Sequence, residues 1–183
     1  MLETPVVLTI FNRPDKTELV FNAISKARPR QLFVIADGPR PDAPGENERC
    51  LDARAIIERV DWDCCLRKNY SDVNMGCKRR VSSGLDWVFS SVEEAILLED
   101  DTLPSHSFLF FCQELLEKYR YDNRINYISG TNYQLGKSRT DYSYFFSRYA
   151  SFWGWATWRR AWRHYDVDMK SWPQVKKDHL LSS

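Results

Sequence analysis

The sequence has no apolar run long enough to cross a bilayer, for which about 20 successive apolar residues are needed. It has no C-x-x-C pair, and its five cysteines (Cys50, Cys64, Cys65, Cys77 and Cys112) are odd in number. That argues against a disulfide framework and a structural zinc site. The expectation is buried, reduced thiols. The three histidines, His106, His164 and His179, have no metal-ligand spacing to one another. Neither a G-x-x-x-x-G-K-S/T loop nor a G-x-G-x-x-G turn occurs, so the two common phosphate loops are excluded. A dominant charge is also missing. Lys and Arg number 26 against 25 Asp and Glu, a formal net charge of +1. Nucleic acid and acidic membrane surfaces are therefore not expected partners, and any phosphate recognition must come from a local cluster. The opening "MLETPVV" lacks the basic and apolar regions of a secretion signal, so the expected compartment is the cytoplasm. There are no internal repeats and no low-complexity segments.

What is present is an ordinary globular composition, 43% hydrophobic and 28% charged, over 183 residues, the length of one domain. "PVVLTIF" (Pro5–Phe11) is a continuous apolar run rich in β-formers, as expected of a strand covered on both faces. A helix follows from Pro14, with Leu19, Val20, Ala23, Ile24 and Ala27 as its stripe, and Pro29 ends it. "QLFVIADGP" (Gln31–Pro39) predicts a second buried strand ending in Asp37 and a turn at Gly38. A helix is predicted over Cys50–Val60 and a short strand at "CCLRKN". Another helix follows "VNMG", with Cys77, Val81, Leu85 and Val88 inward. Ala95–Leu98 predicts a strand, and Ser105–Tyr119 a helix with Phe108, Cys112, Leu115 and Tyr119 at helical spacing. "INYISGTNY" suits one more strand. Trp158 and Trp162, one turn apart, predict a helix over Gly154–Tyr165. Alternating strands and helices imply an α/β fold with a largely parallel sheet flanked by helices. Ligands of such sheets bind beyond the carboxyl ends of the strands.

Three strands end there in polar groups: Asn12 and Arg13, then Asp37, then Glu99, Asp100 and Asp101. Adjacent carboxylates repel unless water screens them or a cation sits between them. The acids are either an exposed corner before a helix or a site where Mg²⁺ or Mn²⁺ shares its shell with substrate phosphates. A cation there would stabilise a diphosphate leaving group. "NMGCKRR" (Asn74–Arg80) begins a helix with Lys78, Arg79 and Arg80, which the macrodipole disfavours unless an anion binds there. A solvated basic face is the alternative. Arg13 and Asp37 are either turn and surface residues or readers of a base and ribose. In "SFWGWATWRRAW", Trp158 and Trp162 suit core packing, while Gly154 between Trp153 and Trp155 would let backbone approach a ligand.

Five ordered segments, "FNRP", "ADG", "NMG", "LLEDDTLPSHSFLFF" and "WGWATWRRAW", together resemble the nucleotide-diphospho-sugar transferases of the GT-A (Rossmann-like) fold. The likeness runs from Pro5 to about Pro173. It is to bacterial glycosyltransferase family 2-like or haemolytic-protein-like chains, related to the N-acetylglucosaminyltransferases that initiate N-glycan branching. "EDD" stands where that family has its D-x-D metal motif. The resemblance implies one domain over 1–183, with nucleotide-sugar binding in 1–122 and part of the acceptor and catalytic region in 123–183. It implies Asp101 as ligand of Mn²⁺ or Mg²⁺, and Glu99 and Asp100 against ribose and donor sugar. It implies Arg13 and Asp37 on the base, with Phe11, Asn12, Gly38, Asn74 and Gly76 around the nucleotide. Lys78 or Arg80 would face the nucleotide, and Trp153, Gly154 and Trp155 would line the sugar and acceptor pocket. The implied activity is metal-dependent, inverting transfer from a nucleoside-diphosphate sugar, UDP-linked, to a hydroxyl of a glycan or other acceptor. Inverting members need a carboxylate base. Beside Asp100, Asp178 is the late acid in "KSWPQVKKDHLLSS" available for catalysis, and it lacks the Trp neighbours of the family. A truncated, non-catalytic sugar-nucleotide binding module is thus the alternative. An Asp-x-Asp-x-Thr phosphotransferase would need its nucleophile after the first strand, where "EDDTL" is not. A sugar nucleotidyltransferase would need a Gly-rich first loop, which "FNRPDKT" is not.

Overall fold

The chain is described by a computed structural model covering residues 1–131, 133, 134, 136, 137 and 140–178. His179 lies outside the described residues. Apolar runs make the central strands: β1 Val6–Ile10, β2 Gln31–Ala36 and β4 Glu94–Glu99, joined by β3 Cys65–Tyr70. The helices are α1 Pro14–Ala27, α2 Glu46–Ile57, α3 Cys77–Ser91, α4 His106–Lys118, α5 Arg159–Trp162 and α6 Trp172–Lys177. Two further strands are β5 Ile128–Ser129 and β6 Trp155–Trp158. The sheet order is β3-β2-β1-β4-β6-β5. The first four strands run parallel, and β6 lies antiparallel between β4 and β5. This is the mostly parallel sheet flanked by helices that the alternation implies.

Alternate residues of the strands feed two cores. Val6, Leu8, Ile10, Val34 and Leu98 face α1, α2 and α4. Val7, Phe33, Ile35 and Leu97 face α3 through Leu85, Val88 and Phe89. Gly84 lets α3 approach β2. A Cβ there would meet Ile35 Cδ1 and Cγ2 at 2.7 Å. In an open helix Gly→Ala stabilises by about 0.5–1 kcal/mol. Here overpacking, at about 1–3 kcal/mol, outweighs that gain. Gly84→Ala is expected to lower the urea midpoint, and a raised midpoint would show that Ile35 simply turns aside.

Several sequence expectations are corrected. Leu19 is 52% exposed, and Phe21 and Thr17 join the buried stripe of α1 instead. Cys65 and Cys77 are exposed, not buried, although all five thiols are free. Arg80 rather than Cys77 turns inward on α3. The second helix starts at Glu46 instead of Cys50. The helix expected over Gly154–Tyr165 is a strand up to Trp158, and only Arg159–Trp162 is helical. The reason is sheet pairing. Trp155–Trp158 fills the slot beside β4, where Ala156 and Trp158 enter one core and Trp155 packs on the other. Trp158 (1% exposed) packs as core, and its Nε1 donates to Leu116 O at 3.1 Å. Trp162 instead stacks on Phe89 at 5.9 Å. No helix of the described residues is long and apolar enough to cross a membrane.

Candidate functional site

β1 lies between β2 and β4, so three strand ends converge where the chain order reverses. A cavity of about 320 Å³ opens there. It gathers Phe11 and Arg13 from β1, Asp37 from β2, and Glu99 and Asp100 from β4, with Asn74, Gly76 and Arg80 from the approach to α3. A second cavity of about 310 Å³ takes Asp101, Thr102, Phe108, Thr131, Trp153 and Gly154. The acidic triplet thus faces two ways, Glu99 and Asp100 into one cavity and Asp101 into the other.

Asp37 is nearly buried, at 7% exposed. Its Oδ1 accepts from Gly38 N and Met75 N, both at 2.9 Å, and its Oδ2 from Gly76 N at 3.0 Å. Asn74 Nδ2 donates to Gly38 O at 2.8 Å. A Cβ on Gly38 would lie 2.5 Å from Val73 C, so two loops touch backbone to backbone. Gly76 closes the turn at φ 77, ψ 152, which suits only glycine, and opens α3. Arg80, 4% exposed, donates from Nε to Ala36 O at 3.1 Å and from Nη2 to Asn69 O and Oδ1. It ties the ends of β2 and β3 together, and burial pushes its pKa down.

Arg13 bridges the acids. Its Nη1 donates to Asp101 Oδ2 at 3.1 Å and its Nη2 to Asp100 Oδ1. Asp100 also accepts from Phe11 N at 3.3 Å. Burial raises the Asp100 pKa against the opposing pull of Arg13. Burial, then the charges of Asp101 and Asp100, raises that of Glu99. Three carboxylates against one guanidinium leave the corner short of positive charge. Among the described residues no three His, Cys, Asp or Glu side chains form a cation cage. A cation shared with a diphosphate and water needs only one or two protein carboxylates. Asp101 fits that role. Beside it Thr102 Oγ1 is buried with no hydrogen-bond partner.

Some expected residues lie elsewhere. Lys78 pairs with Asp168 at 3.2 Å, both exposed, and lines neither cavity. Trp155 stacks on Tyr127 at 4.8 Å and lines neither cavity. Asp178 ends α6, its carboxylate accepting from Gln174 Nε2 at 2.8 Å, and also lines neither cavity. Asn12 and Gly38 act through neighbours, Gly38 as above and Asn12 through Glu46.

Glu46 and Arg40 escaped sequence reasoning. Glu46 is fully buried, and accepts from Asn12 Nδ2 at 2.7 Å, Arg40 N at 2.7 Å and Arg40 Nη2 at 2.5 Å. The hydrogen-bonded Arg40 side chain holds the Glu46 carboxyl down at about 2. Arg40 in turn walls the first cavity, 5.9 Å from the Phe11 ring centroid. In the polar stretch "RPDAPGENE" nothing separates Glu46 from the exposed Glu48.

The chain matches no protein-family model and no curated protein sequence. It is similar to the solved 4-diphosphocytidyl-2C-methyl-D-erythritol synthase of Anaerococcus prevotii, with 11% identity, a TM-score of 0.51, and 97% of this chain and 84% of that chain covered. It is also similar to a candidate nucleotide-diphospho-sugar transferase of Desulfovibrio desulfuricans, with 8% identity, a TM-score of 0.50, and 98% and 78% covered. At these identities the likeness is one of fold alone: a mostly parallel sheet flanked by helices.

Proposed function

We propose that the chain binds a nucleoside-diphosphate sugar, UDP-linked, together with Mn²⁺ or Mg²⁺, and transfers the sugar with inversion to a hydroxyl of a glycan or other acceptor. The observation that carries this reading is the split of one acidic triplet between two adjoining cavities. The first cavity offers the nucleotide an aromatic face at Phe11, the Asp37-anchored loop and Arg40. Glu99 and Asp100, which line the same cavity, would accept from ribose and sugar hydroxyls. Asp101 would hold the cation, which when bound neutralises charge developing on the departing diphosphate. Trp153, Phe108 and Gly154 give the second cavity an apolar wall, and Thr131 stands beside them. Such a wall suits the C–H face of a sugar.

Asp101 is the only acid lining the second cavity among the described residues. That observation favours a second reading, a sugar-nucleotide binding module without its own acceptor base. Donor hydrolysis or transfer by the chain would exclude it. Release of pyrophosphate from a nucleoside triphosphate would point to nucleotidyl transfer instead.

Calorimetric titration with UDP tests the proposal. Binding is expected to require Mn²⁺, and Asp101→Ala is expected to weaken it about 100-fold, the loss of a charged ligand worth about 2.7 kcal/mol. UDP binding that is metal-independent and equal in the variant would remove the cation from the site.

A further inference from the structure

Arg13 stands at the N-cap of α1, a position that favours Ser, Asp or Asn, and it makes no side-chain cap there. The helix dipole disfavours a cation at this end. Its side chain turns instead to Asp100 and Asp101, one guanidinium spanning two neighbouring carboxylates. Asp100 is 2% exposed, so its charge needs a partner.

We propose that Arg13 is a built-in counter-ion that occupies the acidic corner until a divalent cation and an anionic diphosphate arrive together. The proposal rests on the reading of Asp101 as cation ligand. A divalent cation approaching Asp101 meets the Arg13 guanidinium already paired with Asp101 Oδ2, and repels it. Arg13, its side chain 46% exposed, is free to swing away from the acids, and an anion arriving at the site gives it a new partner. The other two arginines of the cavity are held elsewhere, Arg80 by the carbonyls of Ala36 and Asn69 and Arg40 by Glu46. The incoming diphosphate supplies that anion. Cation and nucleotide therefore bind cooperatively, each raising the affinity of the other by the same factor. Arg13 is the positioning residue that sets this coupling.

The test follows Mn²⁺ binding by loss of the free-ion electron paramagnetic resonance signal, for the 183-residue chain with and without UDP. In the unaltered protein UDP is expected to tighten Mn²⁺ binding at least about tenfold. Arg13→Gln, which removes the internal cation, is expected to bind Mn²⁺ without UDP about tenfold more tightly, with the UDP enhancement reduced accordingly. Arg13→Lys keeps the charge but loses the fork, and should fall between. Equal or weaker Mn²⁺ affinity in a folded Arg13→Gln protein overturns the proposal. If that variant does not fold, Arg13→Lys decides by the same criterion. Mn²⁺ bound equally with and without UDP, yet lost in Asp101→Ala, overturns the coupling and leaves the cation site standing. No Mn²⁺ bound in any state overturns both.

Discussion

Asp37→Ala is expected to abolish measurable nucleotide binding and to lower the melting temperature by roughly 6–12 °C, as about 3 kcal/mol does in a domain of this size. Three backbone amides, those of Gly38, Met75 and Gly76, point at this one carboxylate. Hydrogen bonds to a charged group contribute about 1.5–3 kcal/mol each. Water replaces part of that once the loop opens, which is why the estimate lies below the full sum. The amides belong to the segment that starts α3 and walls the first cavity, so the loop and the site are lost together. Asp37→Asn separates anchoring from base contact. It keeps one acceptor oxygen but turns an N–H toward the amide of Gly76 or Met75. If Asp37 anchors the loop, melting temperature and UDP affinity fall together. If affinity alone falls, Asp37 acts on the base directly. A variant unchanged in both would refute the placement of the loop.

Trp158→Ala is expected to be the most destabilising single change in the sheet, at about 4 kcal/mol. The indole is 1% exposed and packs in the core that α4 closes. Its Nε1 donates to the last-turn carbonyl of Leu116, and Arg160 lies 4.3 Å from its ring centroid. Removal leaves a cavity and an unmet carbonyl. Trp158→Phe keeps most of the volume and loses the hydrogen bond, for about 1–2 kcal/mol. Urea unfolding with an unchanged m-value measures both. The consequence reaches the second cavity, because β6 runs directly from Gly154, whose carbonyl holds Gly130 N at 3.0 Å. Ligand binding there is expected to weaken in Trp158→Ala even where the protein remains folded. A cost below about 1 kcal/mol would mean that the sheet does not rely on this anchor.

The strands β1, β2 and β4 were legible in the sequence because a strand covered on both faces reads as a near-continuous apolar run. The direction of the parallel sheet then places Arg13, Asp37 and the acidic triplet at one edge. Local patterns decided no more than that. Trp158 and Trp162 are spaced as on a helix, yet β6 is a strand because an antiparallel slot beside β4 was open to it. Nor does helical spacing show that Arg80 is buried under two strand ends. Glu46 reads as one more acid of a polar loop until Asn12 and Arg40 close on it. The sequence puts Arg13 on the same edge as the acids but does not pair them; in the fold Arg13, 87 and 88 positions earlier, completes their corner. Periodicity reports how each segment meets a generic interior. Which charges become neighbours depends on the order of strands in the sheet, and in this protein β1 beside β4 brings Arg13 to Asp100 and Asp101.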